Sequence, residues 1–221
     1  MDIPELEQQL VETQEHLREL QGVRGRPIFE ELRDAFDRLA KAQRALASAR
    51  SEEYAVPYDI GFTPEAAVSG PVLLQTDYRT ILTFNAVRRM PDGLRHRIGH
   101  GIVEIESCSV TKFGYPNDEA LPGHPLYSKG LQAYGVYEVR NSLWIRQITE
   151  QNRIPFPETP DSTQKHFLFI FHDGSLECIA SSLRAFVSTE PYSRVFQEMT
   201  QRVFGREEAV ADERDDRHVR N

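Results

Sequence analysis

Residues 165–180 restrict the fold of this chain more than any other segment. Two aromatic or aliphatic runs lie on either side of Asp173-Gly174. Asp-Gly between two such runs is typical of a type I′ turn, because both turn residues take positive φ. That turn would place His172 opposite Ser175. The segment therefore predicts a β-hairpin, and with it an antiparallel sheet.

The alternation of side chains along each strand assigns the residues of this hairpin to two faces. The face predicted to line the core carries Phe167, Phe169, Phe171, Leu176, Cys178 and Ala180. On the opposite face, the predicted register sets Glu177 diagonally across from His172, within side-chain reach. A carboxylate beside an imidazole raises its pKa, orients its tautomer or shares a metal ion with it. The alternative is a solvated pair on the outer face of the sheet.

Further strands and helices are predicted between residues 72 and 205. The segments rich in strand formers are 72–74, 80–87, 101–112 and 134–139. The segments with helical signals are 141–152, which begins with two N-cap residue types, and 189–205, which ends at a glycine. Together they predict a mainly antiparallel sheet domain with two helices packed on it.

The first fifty residues carry a different pattern, with apolar residues at spacings of three and four. The stripe of the first segment is Leu6, Leu10, Thr13, Leu17 and Leu20, and that of the second is Phe29, Leu32, Phe36, Leu39, Ala42 and Leu46. Gly22 and Pro27 separate them, which predicts an antiparallel two-helix hairpin. Two narrow stripes make an isolated pair marginal. The hairpin should therefore pack against the main domain or a second copy.

These patterns divide the chain into four parts and predict an α+β fold. They are a helical hairpin (1–50), an extended strap or linker (51–70), an α+β domain (71–205) and a charged, disordered tail (206–221). In the strap, Tyr58, Ile60 and Phe62 alternate on one face and would dock onto the domain. Pro57 restricts its strand to an edge.

Composition excludes several classes of protein. The chain has 221 residues and a formal net charge of −8, which disfavours general nucleic-acid binding. It has no apolar stretch of about 18 residues and no secretion signal at its start, which predicts a soluble, cytoplasmic protein without a membrane span. Its two cysteines, Cys108 and Cys178, read as small apolar residues in a reducing compartment.

A long loop, 113–127, is the first candidate site. It joins two predicted strands and contains three prolines and two acids. Ordered loops of this length are often functional. Leu121, Leu126 and Tyr127 are residue types that are usually buried, and they would pin the loop. A pinned loop would hold Asp118, Glu119 and His124 in place for acid–base or metal chemistry. The alternative is an Ω-like loop whose Asn and Asp side chains cap its own turns.

A basic segment, 88–100, is the second candidate site. It contains Arg88, Arg89, Arg95 and Arg97 in an otherwise acidic chain, and it would bind a phosphate, a carboxylate or an acidic partner. The alternative is a solvated turn. His96 and His100 are spaced for one helix face, but Pro91 and the glycines argue against a helix, so no zinc site is predicted there.

Two functions remain open, because the sequence lacks the common phosphate-loop, serine-elbow and zinc motifs. Whether the protein uses a cofactor is left unknown by the sequence. The favoured one is a binding or accessory protein that makes partner or oligomer contacts through residues 5–49. The alternative is an enzyme without a common motif. Its site would combine the 117–125 loop with the tip of the 165–180 hairpin, with His124 or His172 as base and Asp118, Glu119 or Glu177 beside it.

Overall fold

The computed structural model describes residues 2–24, 27–67, 70–90 and 94–204. Its helices are α1 (Ile3–Gln21), α2 (Phe29–Ala49), α3 (Leu143–Arg153) and α4 (192–204). Its strands are β1 (Tyr54–Pro57), β2 (Thr63–Pro64), β3 (Val72–Gln75), β4 (Thr80–Arg89), β5 (Arg95–Glu106), β6 (Val110–Gly114), β7 (Val136–Arg140), β8 (Lys165–Ile170), β9 (Ser175–Ala180) and β10 (Ser182–Ser188). The helical hairpin and the antiparallel sheets confirm the α+β class. Gly205 and the tail predicted to be disordered lie outside the described residues.

The strands form two antiparallel sheets. The first sheet has the order β1-β7-β8-β9-β6. The second has the order β10-β5-β4, and both β2 and β3 pair with the free side of β4. Strand β10 was not predicted. The predicted strand 101–112 is in fact two strands, because a turn that starts at Ser107, with φ of 49°, separates β5 from β6. The chain passes from one sheet to the other at this turn.

The main core lies between the two sheets. The six hairpin residues predicted to line it are all fully buried there, against Leu82, Phe84, Val103 and Ile105 of the second sheet. The ring centroids of Phe84 and Phe171 are 5.4 Å apart. Since burying one such side chain contributes about 1.5–3 kcal/mol, this interface supplies much of the fold's stability.

The outer face of each sheet is covered by a different element. On the second sheet, Val195, Met199 and Val203 of α4 pack against Ile81 and Ile102. On the first sheet, Leu168 and Ile170 lie under the long loop, which contributes Leu121, Leu126 and Leu131. The leucines therefore pin the loop as expected, whereas Tyr127 stays 42% exposed.

The 165–180 hairpin forms, but its predicted register was wrong. Ser175 pairs with Ile170 and not with His172, a shift of two residues. Neither Asp173 nor Gly174 has the positive φ of a type I′ turn. Instead, Gly174 permits a close approach, because a Cβ there would lie 2.6 Å from the carbonyl oxygen of Gly114 in β6. A shift of two keeps each side chain on its face, so the predicted core survives the error.

The two N-terminal helices pack on each other, and α2 also packs on the main domain. It contacts β1 and the turn at Tyr127–Lys129, and the Gln132 side chain donates a hydrogen bond to the carbonyl oxygen of Phe36. The buried residues of α2 are Ala35, Ala40, Ala42, Leu46 and Ala47. Of the two partners expected for the hairpin, the structure supplies the main domain.

Two aromatic residues of the predicted α2 stripe are not buried. Phe29 is 81% exposed and Phe36 is 41% exposed. The reason is that α2 lies between α1 and the main domain and makes its close contacts through alanines, which allow backbones to approach. The two rings are left at one side of the helix.

The strap follows its prediction in outline. Tyr58, Ile60 and Phe62 pack on the core, and β1 is an edge strand that ends at Pro57. Within the described residues, none of the helices is both long and apolar enough to cross a bilayer.

Candidate functional site

A hydrogen-bonded cluster ties the long loop to the tip of the 165–180 hairpin. The Oδ2 atom of Asp118 lies 2.9 Å from Nδ1 of His172 and also accepts a hydrogen bond from the Tyr134 hydroxyl. The backbone N–H of Asp118 donates to the carbonyl oxygen of His172 at 3.1 Å. We call Asp118, Tyr134 and His172 the loop clamp. It fixes residues 117–135 against the end of the first sheet.

The charges in the loop clamp reinforce one another. The Tyr134 hydroxyl and the His172 imidazole lower the pKa of Asp118. The carboxylate in turn raises the pKa of His172, and it raises the pKa of Tyr134 to about 12. The loop clamp is thus an ionised carboxylate held by a phenol and by an imidazole that favours its protonated form. Its other oxygen, Oδ1, is buried and has no hydrogen-bond partner within the described chain.

His124 and Glu177, two further predicted site residues, belong to a separate polar cluster on the outer face of the first sheet. The electrostatic neighbours of His124 are Glu177, Glu53, His166 and Lys112. Burial lowers the pKa of His124, and its Nδ1 accepts the backbone N–H of Leu126 at 3.1 Å. His124 is therefore a neutral side chain that stabilises its own turn of the loop.

Glu177 pairs with His166 and not with His172, which corrects the predicted pair. Glu177 lies opposite Leu168 in the observed register, so His166 is its diagonal neighbour, with Nε2 3.0 Å from Oε2. The other ring nitrogen of His166 lies 2.9 Å from the Ser142 hydroxyl, the N-cap of α3. Burial opposes ionisation of Glu177, but the hydrogen bond and charge of His166 outweigh it and lower the pKa of Glu177.

His166 and Ser142 were not among the predicted site residues, although Ser142 was expected to cap a helix. Both are buried, and the Trp144 ring lies edge-on to His166 with centroids 5.2 Å apart. Both ring nitrogens of His166 and the Ser142 hydroxyl are paired, which is the pattern of a structural network. Only the adjacency of His166 to an apolar strand face could have drawn attention to it.

The remaining loop residues are placed as the Ω-like alternative would have them. The Asn117 side chain accepts the backbone N–H of Ala120 at 3.1 Å and so caps its own turn. Glu119 is exposed, and its backbone N–H is one of the donors that lower the pKa of Asp118.

The four predicted anion-binding arginines lie on a hairpin and not in a loop, because β4 continues to Arg89 and β5 begins at Arg95. Residues 91–93 of this segment lie outside the described residues. Arg88 donates to the carbonyl oxygen of Gly61 at 2.9 Å. Arg97 donates to the Asn85 side chain at 2.8 Å. Both are engaged within the fold.

Arg89 and Arg95 differ from the other two arginines. They are directly opposite each other in the β4–β5 register. Like charges in that position destabilise a strand pair. Across the described parts of the chain, neither guanidinium forms an ion pair with a carboxylate. Two adjacent, uncompensated guanidinium groups favour a bound anion.

A groove of about 560 Å³ brings three of the predicted features together. One wall is α2, with Phe29, Leu32 and Phe36, and the opposite wall is the long loop, with Leu121 and Tyr127. The charged residues of the lining are Arg89, Arg95, the loop clamp residue Asp118, and Arg33 and Asp37 of α2. We call this space the aromatic groove. A second recess of about 540 Å³, along the strap, adjoins it and shares both arginines.

The described residues contain no group of three or more His, Cys, Asp or Glu side chains placed to share a metal ion. Comparisons with protein-family models, with curated proteins and with solved structures find no match to the chain. The geometry of the site is therefore the basis for assigning a function.

Proposed function

We propose that the protein is a binding module, and that its aromatic groove holds a segment of a partner protein that combines an acidic residue with a large apolar one. The observation that carries the proposal is the exposure of Phe29 and Phe36 beside the opposed Arg89 and Arg95. The proposal keeps the partner role expected of the hairpin but moves it from the helix pair to the groove that α2 borders.

Three exposed aromatic rings line the aromatic groove. Phe29 is 81% exposed, Phe36 41% and Tyr127 42%. An isolated exposed apolar residue needs no explanation, but a group of large apolar side chains in a concave space marks an interaction site. Aromatic anchors of this kind dominate binding energy at protein interfaces.

Arg89 and Arg95 give the aromatic groove a positively charged side. Of the two acids that line the groove, Asp118 is held in its loop clamp and Asp37 is exposed on α2. Asp34, also on α2, pairs with Arg33 at 2.9 Å. The planar guanidinium groups of Arg89 and Arg95 are suited to bidentate contacts with a carboxylate. Because the whole chain has a net charge of −8, attraction of an acidic segment would be confined to this groove and would favour specificity.

A second copy of the chain is a weaker occupant. Helix α2 already packs on the main domain as well as on α1, so the marginal stability of the helix pair no longer requires a dimer. The two free cysteines support a reducing, cytoplasmic setting for this role.

Peptide display on the full-length protein tests the proposal. A random-peptide phage library should enrich sequences that carry Asp or Glu near an aromatic or aliphatic residue. Synthetic peptides from that selection are then titrated by fluorescence polarisation. Truncation of a central aromatic anchor costs about 2 kcal/mol or more, so Phe36→Ala should weaken binding roughly thirtyfold. The charge reversal Arg89→Glu should have a similar effect.

Matched variants elsewhere on the surface serve as controls. Phe156→Ala removes another exposed ring, and Arg146→Glu reverses another exposed charge; both should leave affinity unchanged. Enrichment without acidic residues, or affinity that Phe36→Ala does not alter, would contradict the proposal. A doubled mass in light scattering that Phe29→Ser restores to a monomer would show a second copy in the groove and also overturn it.

A second candidate function, acid–base catalysis at the loop clamp, is favoured by the hydrogen bond between Asp118 and His172. The His172 side chain is 40% exposed, and the carboxylate orients its ring as in many enzymes. Hydrolysis of p-nitrophenyl acetate and p-nitrophenyl phosphate by the purified protein tests it. Turnover that His172→Gln abolishes would support catalysis. Equal background rates in the wild type and in His172→Gln would exclude catalysis of these two reactions by the loop clamp.

A further inference from the structure

Cys108 and Cys178 meet in the interior, although 70 residues separate them in the sequence. Cys178 is fully buried in β9, within the core between the sheets. Cys108 lies in the turn between β5 and β6, is partly exposed and packs against the same core. Both are free thiols, and they interact directly through a side-chain hydrogen bond. The two sulfur atoms are therefore neighbours across the edge of the first sheet.

The two thiols are chemically unequal. The Cys178 thiol, the Thr80 side chain and the Val110 backbone stabilise the Cys108 thiolate and outweigh its burial, which lowers the pKa of Cys108 to about 7. The interaction with Cys108, together with burial, raises the pKa of Cys178 well above its usual value. One thiol thus ionises near neutral pH while the other remains protonated beside it. Since Cys108 is the partly exposed cysteine and Cys178 is buried, and since the thiolate is the reactive form, Cys108 is the nucleophile of the pair.

Solvent reaches the turn that carries Cys108 through a cleft of about 280 Å³. Thr80, which contacts the Cys108 sulfur, and Ser107, which precedes it, both line this cleft. Glu104 and Arg184 also line it and are paired with each other. A cleft of this size admits a small neutral molecule to the vicinity of the sulfur.

We propose that Cys108 and Cys178 form a peroxide-reactive pair that closes to an intramolecular disulfide. The Cys108 thiolate attacks one oxygen of hydrogen peroxide, the O–O bond breaks, and the departing hydroxide takes a proton to leave as water. Cys108 is then a sulfenic acid. The Cys178 sulfur attacks the Cys108 sulfur, and the S–O bond breaks. The hydroxyl group leaves with the Cys178 proton as a second water. Two thiols are oxidised and one peroxide is reduced.

The turn between β5 and β6 is the part that would move. The Ser109 backbone N–H donates to the carbonyl oxygen of Ile179 at 2.9 Å, and its hydroxyl donates to Gln164. These contacts hold the turn that carries Cys108 against β9, the strand that carries Cys178. A disulfide would join the turn covalently to the strand that also carries Glu177.

Mass spectrometry of the full-length reduced protein tests the proposal. After one equivalent of hydrogen peroxide at neutral pH, the intact mass should fall by two hydrogen atoms and both cysteines should resist iodoacetamide under denaturing conditions. Dithiothreitol should restore the original mass and the reactivity of both cysteines with iodoacetamide. The rate should exceed that of free cysteine by about tenfold at neutral pH, and it should fall as pH is lowered through the pKa of Cys108.

Two single variants distinguish this pair from two packed thiols. In Cys178→Ala, which removes a buried sulfur without adding a polar group, Cys108 should accumulate as a sulfenic acid that dimedone labels. In Cys108→Ser, Cys178 should stay reduced and unlabelled. Circular dichroism shows whether each variant folds. Overoxidation of Cys108 in the wild type with Cys178 still reduced, or a disulfide-linked dimer on a non-reducing gel, would overturn the proposal.

Discussion

Replacement of Gly174 by alanine is the sharpest test of the hairpin tip that carries the loop clamp. A Cβ at this position would lie 2.6 Å from the carbonyl oxygen of Gly114 and 3.3 Å from its carbonyl carbon. Both are backbone atoms, so β6 or the turn must shift. Overpacking of this kind costs about 1–3 kcal/mol. For a chain of this size the melting temperature should fall by roughly 2–12 °C.

Gly123→Ala is the matched control. A Cβ at Gly123 would meet no atom within 4 Å, and its φ is not positive. Alanine there restricts the unfolded chain and should be neutral or should stabilise by up to about 1 kcal/mol. Both variants are followed by thermal unfolding with circular dichroism. If Gly174→Ala melted like the wild type, the close approach of β6 to the turn would be refuted, and with it the observed register.

Two further predictions concern the loop clamp and α4. The loop clamp should stabilise the fold most at pH values between the lowered pKa of Asp118 and the raised pKa of His172. Its contribution to the free energy of unfolding is lost as pH falls through the pKa of Asp118, and also as pH rises through the pKa of His172. In Asp118→Asn, NMR titration should show a lower pKa for His172, and an unchanged value would contradict this. Met199→Ala, at a fully buried site, should destabilise by about 2–5 kcal/mol in urea unfolding, whereas the exposed Gln197→Ala should stay within about 0.5 kcal/mol.

The fold was largely predictable because side-chain periodicity survives errors of register. The strand pairing of the 165–180 hairpin was predicted two residues out of register, yet the six core residues were identified correctly. A shift of two returns each side chain to its own face. The error affected only the pairing of individual side chains. The predicted register set Glu177 beside His172, whereas the partner of Glu177 is His166.

The helical hairpin shows what periodicity leaves undetermined. The spacing of Phe29 and Phe36 placed them correctly on one side of α2, but it did not say what would cover that side. The buried residues of α2 are mainly alanines, and the two rings line the aromatic groove. Which surface of an amphipathic helix becomes a core and which becomes a site depends on tertiary contacts that a local pattern does not contain.

The arginine pair was hidden for a similar reason. Pro91 and the glycines made 88–100 resemble a loop, so the strand register that sets Arg89 against Arg95 could not be predicted. Once the register is known, the two positive charges argue for function, because a purely structural sheet would gain by replacing one of them.

A charge reversal at Arg95 separates the contribution of the arginine pair to binding from its contribution to stability. Arg95→Glu converts a like-charge cross-strand pair into an ion pair with Arg89. Because both side chains are exposed, the gain should be small, about a few tenths of a kcal/mol, or roughly 1 °C in melting temperature. The same variant should lose affinity for acidic peptides at least tenfold, while Arg95→Gln falls between it and the wild type in both measurements. A variant that melts earlier and still binds would show that the two arginines serve the strand pair and not a ligand.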